Sequence, residues 1–295
     1  MFSDTHFHFE LMNDVYGVNC VDVLLNMAKK NCFFAMDIGT KCDDLLSRQS
    51  CVEKTIAQID AKYADKCRSF IHFSAGIWPG IDDINDRSKG MDVLSSMIEK
   101  TSCDAESDTL NRKIIAIGEC GIDHHWNPSG ADGRTETDFT KETYFGEREL
   151  FEMQLLLAKK MNLPIIVHSR DAFEDTLDCI KNSDYDNGII HCFSYGYEEA
   201  KAFLERGWYI SLSGGVTYAK KSKIDDMKRL LQSIPSERIL LETDSPYLAP
   251  TPLRGNTNNP TFIEHTYDFV AKMRETSVES LCDLVDSNVK KLFQL

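Results

Sequence analysis

The chain has 295 residues, of which 42% are hydrophobic, and carries a formal net charge of −14. That length suffices for one large core, so residues 1–295 are expected to form a single domain. No apolar run approaches the ~20 residues that span a bilayer, no basic start followed by an apolar stretch marks a signal peptide, and the acidic balance argues against tight nonspecific binding to duplex nucleic acid.

Taken in chain order, β-rich segments fall near 2–9 (FSDTHFHF), 32–39 (CFFAMDIG), 70–77 (FIHFSAGI) and 114–121 (IIAIGECG), then near 164–169 (PIIVHS), 188–193 (GIIHCF), 208–214 (WYISLSG) and 238–244 (RILLETD). Several are apolar almost throughout, as strands covered on both faces are. The intervals leave room for a crossover helix each time. Phe151, Leu155 and Ala158 recur at helical spacing before the fifth segment, and Leu281, Leu284, Val285, Val289 and Leu292 form an apolar stripe near the end, opened by a Thr276/Glu279 capping-box pattern. Eight strands alternating with helices predict an α/β fold, a (β/α)8 TIM barrel, whose usual size of roughly 250 residues suits this chain. Residues 101–112 read as a polar surface excursion. Residues 127–142 follow the fourth strand, on the catalytic face of such a barrel, and either shape access to a site there or are plain solvated loop.

The candidate site residues share one placement. His6 and His8 are two apart on the first strand, so both face one way, with Asp4. Glu119, His168, His191 and Asp244 close the fourth, fifth, sixth and eighth segments. Six imidazoles and carboxylates at strand carboxyl ends converge on one mouth of a barrel, where active sites of this fold lie. Such donors suit Zn²⁺, Mn²⁺ or Mg²⁺. Six exceed one open tetrahedral site, so two divalent ions are expected, about 4 Å apart and bridged by a carboxylate, with Glu119 the natural bridge. Such a pair would supply the local positive charge the chain lacks in total.

Glu242, two before Asp244, is expected to point inward as well and to orient a water or a histidine ligand. The alternative is a buried ion pair, with Arg170 a possible mate. Asp123, four after Glu119, is open between a site role and loop structure. Cys120 and Cys192 should turn to the opposite face by parity. The ten cysteines form no C-x-x-C pair and read as reduced thiols of a cytoplasmic protein. No G-x-S-x-G elbow is present, and Gly214-Gly215 lacks the spacing of a dinucleotide loop.

The segments DTHFH at 4–8, GECGID at 118–123, VHSRD at 167–171, HCFS at 191–194, ISLSGGVTY at 210–218, LLETDSPYLAP at 240–250 and RGNTNNP at 254–260 resemble, in order and across the whole chain, the TatD-family metal-dependent deoxyribonucleases. The resemblance implies an amidohydrolase-type barrel that hydrolyses DNA phosphodiester bonds, often from the 3′ end of single strands. It assigns His6, His8, Glu119, His168, His191 and Asp244 to the metal ions, with DNA as substrate and no membrane or obligate protein partner. Catalysis would be attack of metal-activated water, with Asp244 or Glu242 handling the proton. Arg170 and Arg254 are candidates for steadying the phosphate.

The chain departs from the family pattern in three places. Gly76-Ile77-Trp78-Pro79 carries Trp78 where a histidine is usual, and Trp78 either stacks on a base or fills space. Asn258-Asn259-Pro260 replaces N-E-P, and Glu147 stands for a usual glutamine. These departures bear on substrate preference. The same barrel could instead cleave another ester, such as an aminoacyl-tRNA, a lactone or a phosphotriester, and a metal-binding scaffold without turnover is the third possibility.

Overall fold

A computed structural model describes residues 2–103, 113–125 and 134–295. Eight strands occur in chain order: β1 (Asp4–Phe7), β2 (Ala35–Asp37), β3 (Ile71–Ala75), β4 (Ile114–Asp123), β5 (Ile165–Arg170), β6 (Gly188–Ile190), β7 (Tyr209–Leu212) and β8 (Ile239–Leu241). They form one parallel sheet in the order β1 to β8. The seam closes at the carboxyl rim, where Phe7 bridges Ser245 in parallel, His8 N–H donates to Ser245 O at 2.8 Å, and Asp244 N–H donates to His6 O at 2.9 Å. Helices occupy the crossovers, so the α/β barrel of eight parallel strands expected from the sequence is the architecture observed. Six of the predicted segments contain their strands, whereas β4 runs two residues past its segment to Asp123 and β5 one residue past its segment to Arg170.

Several strands are apolar and buried along their middles. Ile165–Val167, Ile189–Ile190 and Ile239–Leu241 are all buried. Phe7, Phe34, Phe73 and Met36 fill the same core. The two ends of the chain are tied together. Ser3 Oγ donates to Asp286 Oδ1 at 2.6 Å on the last helix, Val278–Phe293, and Tyr267 Oη donates to Ser3 O at 3.0 Å. The last helix buries Leu281, Val285, Val289 and Leu292, as their spacing predicts, with Leu284 packed at the edge. Its cap is Ser277, whose side chain accepts from Ser280 N–H. The Thr276/Glu279 pattern was therefore one residue out of register.

Nine of the ten cysteines, all but Cys103, are described as free thiols, and among the described residues no helix is long and apolar enough to cross a membrane. The predicted excursion at 101–112 lies outside the described residues beyond Cys103, and the loop at 127–142 is described only from Arg134.

Candidate metal centre

Local backbone geometry aims the donors. His6 is buried within β1, and His8 is the first residue beyond it, leading into the helix Phe9–Asp14. That turn is braced by Asp37, whose Oδ1 accepts from Phe9 N–H at 2.9 Å. Asp37 Oδ2 in turn accepts from the buried Arg48 Nη1 at 2.7 Å, and Arg48 Nε donates to Asp44 at 2.9 Å. Glu119 and Asp123 both lie on β4, which runs further than the other strands. It can do so beside β5 because Gly121 has φ +146°. A Cβ there would come within 1.9 Å of His168 O, so only glycine lets the two strands approach. His191 is one residue past β6, and Asp244 is three past β8 with φ +55°. An aspartate tolerates this left-handed conformation at a tight turn.

The donors gather around Glu119. Its Oε1 is 3.0 Å from His168 Nδ1 and 2.9 Å from His191 Nε2. Its Oε2 is 3.3 Å from His6 Nε2 and 3.7 Å from His8 Nε2. Asp244 Oδ1 is 3.6 Å from both His6 Nε2 and His8 Nε2. Each carboxylate oxygen of Glu119 thus faces its own histidine pair. The His6 and His191 rings stack at 4.0 Å, and His168 Nδ1 lies 3.2 Å from His191 Nε2.

These residues fit divalent cations. Both ring nitrogens of His6 are buried without a hydrogen-bond partner, a state that costs about 1–3 kcal/mol per group unless something else satisfies it. Three clusters have donor atoms close enough to share an ion: His6, His8 and Glu119; Glu119, His168 and His191; and His6, His191 and Glu242.

Charge at the centre is stabilised mutually. Burial alone would neutralise Glu119, but His191 and the hydrogen bonds from His168 and His191 hold its carboxyl well below the usual range. Asp244 is likewise lowered against its burial, by His8 above all. His168 is pushed up to about 9: burial opposes the charge, and Asp123 and Glu119 outweigh it. His8 is raised in the same manner by Asp244 and Glu119. His6 is lowered, by burial and by the neighbouring His191. A cation binding here competes with protons for the imidazoles.

The surrounding carboxylates hold the histidines. Asp123 is buried, and its Oδ2 is 3.0 Å from His168 Nε2, opposite the nitrogen that faces Glu119. Glu242 is fully buried. Its Oε1 accepts from Cys192 N–H at 2.6 Å and lies 3.4 Å from His191 Nδ1, while its Oε2 accepts from Ser211 Oγ. The alternative pairing of Glu242 with Arg170 does not occur. Arg170, at the end of β5, is exposed, whereas Glu242 is fully buried. Arg254 is exposed with its guanidinium over the Tyr218 ring at 4.3 Å. Trp78 is half-buried, its ring 5.9 Å edge-on from His168. Cys120 is buried as parity predicts. Cys192, at φ +45°, lies instead 3.1 Å from Ser213 Oγ.

Several neighbours were not foreseen. Buried Arg134 donates to Asp123 O, to Pro79 O and, at 3.0 Å, to Glu147 Oε1, with its guanidinium 5.1 Å from the Trp78 ring centre. Glu147 also accepts from Asp123 N–H at 2.9 Å. The described part of the 127–142 loop is thereby fastened to the wall of the site. An arginine in a polar loop gives no sequence sign of reaching inward; the Glu147 departure was the one clue.

An eight-stranded parallel barrel with this donor cluster at its carboxyl rim defines the class of TIM-barrel metal-dependent hydrolases. The model of the TatD related DNase family matches residues 3–294, and the chain belongs to that family. It is 35% identical over 189 residues to an uncharacterized metal-dependent hydrolase of Bacillus subtilis, covering 63% of this chain and 68% of that protein. It is 36% identical over 188 residues to the 3′-5′ ssDNA/RNA exonuclease TatD of a Rahnella species, covering 62% of this chain and 66% of the relative. The crystal structure of a TatD homologue from Escherichia coli K12 shares the fold, with a TM-score of 0.77 at 21% identity over 100% of this chain and 98% of that one.

Proposed function

We propose that this metal-dependent hydrolase is a deoxyribonuclease that removes nucleotides from the 3′ end of single-stranded DNA, acting as one domain in the cytoplasm. The observation that carries the reading is Glu119, whose two oxygens face two histidine pairs. Two divalent ions (Mg²⁺, Mn²⁺ or Zn²⁺) would be held by His6, His8, Glu119, His168, His191 and Asp244, and when bound would activate water and neutralise charge on a phosphodiester. The Rahnella relative's name supports the substrate class.

The chain's own groups then have distinct tasks. Asp244 takes the proton of the attacking water, since both oxygens of Glu242 already accept hydrogen bonds. Glu242 orients His191, and Asp123 fixes the tautomer of His168. Trp78 shields the His168 side from solvent, and the exposed Arg170 and Arg254 are available to phosphates at the rim.

The test is hydrolysis of a 5′-labelled single-stranded oligonucleotide by EDTA-stripped protein given back Mg²⁺, Mn²⁺ or Zn²⁺. A ladder shortening from the 3′ end is expected, dependent on metal and reduced about 10²–10⁴-fold in Asp244→Ala. Absence of cleavage in protein that holds two ions, with turnover of a small ester instead, would overturn the reading in favour of an esterase.

A further inference from the structure

We infer that Tyr247 and Tyr16 form a stacking platform for unpaired nucleobases, leading outward from His8 at the edge of the metal centre. The inference rests on the nuclease reading and adds where the bases of the strand lie. Tyr247 is three residues beyond Asp244, and its N–H donates to Asp244 O at 2.9 Å. The ring is therefore fixed by the same turn that aims the carboxylate. It lies 6.3 Å from the His8 ring at 71°, and 6.2 Å from the Tyr16 ring at 82°. Tyr16, just beyond the helix Phe9–Asp14, donates its N–H to Leu11 O at 3.2 Å. The three rings make a continuous edge-to-face series from a candidate metal ligand to solvent.

Both tyrosines are 45% exposed, and Val15 beside them is 71% exposed. Large apolar side chains held rigid and open to water at the mouth of a site suit a flat apolar ligand. The opposite wall is already engaged: Trp78 carries the Arg134 guanidinium and is half-buried. Charge selects the part of the strand that meets the tyrosines. Glu10 and Asp14 lie on the adjoining short helix, so phosphates are repelled there and the uncharged bases are the parts that fit. Base–aromatic stacking accepts any base, because every base has a π-face. It also demands a single strand, since paired bases offer no free face.

The platform is tested with a phosphorothioate-linked oligonucleotide carrying 2-aminopurine at each of the last few 3′ positions in turn. Binding is read by fluorescence in EDTA-treated and in Ca²⁺-loaded full-length protein. Quenching is expected at one or two positions, lost in Tyr247→Leu and Tyr16→Ala, and kept in Tyr247→Phe and Tyr16→Phe. In the cleavage assay, wild type should prefer a base-bearing 3′ segment over an abasic one by about 5- to 100-fold, and the Leu and Ala variants should lose most of that ratio. Unaltered quenching and an unaltered ratio in those variants would overturn the platform, as would absence of quenching in both protein forms. If wild type cleaves no oligonucleotide, the nuclease reading fails, and the quenching measured without turnover still decides the platform.

Discussion

Each imidazole at the centre has a second nitrogen, and what grips that nitrogen decides where the first one points. His168 is gripped by Asp123 at 3.0 Å, and His191 faces Glu242 at 3.4 Å. Partners of this kind set tautomer and basicity, and losing one typically weakens metal affinity 10–100-fold. Asp123→Asn should therefore bind Mn²⁺ or Zn²⁺ 10–100-fold more weakly in a calorimetric titration, with the fold intact by circular dichroism. Unchanged affinity would leave Asp123 with a structural role at the end of β4 alone. The side chains that gather around Glu119 were legible in the sequence because histidines and acids at the ends of apolar runs have few other reasons to be there. The role of Asp123 was not, because its meaning depended on β4 continuing to that residue. Tyr16 and Arg134 were illegible for a related reason: in a polar or mixed segment, only the tertiary fold decides whether a side chain turns to solvent or to the site.

At the scale of the element, the period of two located the donors by a route the backbone does not wholly follow. His6 obeys it within β1. Glu242, one residue past β8, still points inward and donates its N–H to Leu212 O on β7 at 3.1 Å, but Asp244 does not follow the period, since the chain turns left-handed there. Asp244 still reaches the centre, but through the turn and its bonds to His6 O and Tyr247 N–H rather than through strand pleating. His191 likewise lies just past β6, and the left-handed Cys192 after it escapes the alternation. Apolar runs announce that a strand exists, while its end depends on hydrogen bonds that only neighbouring strands supply. The one-residue displacement of the last helix's cap, from Thr276 to Ser277, has the same origin: Ser and Thr are both capping types, Ser the stronger, and the local chain path chooses.

For the whole molecule, the barrel confines its polar groups to the rim, with exceptions that stability should register. His72 on β3 is buried against Phe34, ring centres 4.8 Å apart, with Nδ1 unpartnered, and burial lowers its pKa to about 4. The proton thus binds the unfolded chain more tightly, near the ordinary value of 6.5. The resulting penalty is absent above about pH 6.5 and grows as pH falls toward 4, by a few kcal/mol at most. His72→Phe should match or exceed wild type at pH 7 and gain on it progressively down to pH 4.5 in denaturant melts. A difference between the two that stays constant with pH would refute this source of acid lability.

The central proposal is that Glu119 would lie between two cations, each shared with its own histidine pair. Anomalous diffraction from crystals of the protein loaded with Mn²⁺ tests it directly. Two peaks about 4 Å apart on either side of the Glu119 carboxylate, one beside His6 and His8 and the other beside His168 and His191, are the predicted result. A single peak under saturating metal, or two peaks with Glu119 bound to neither, would contradict it.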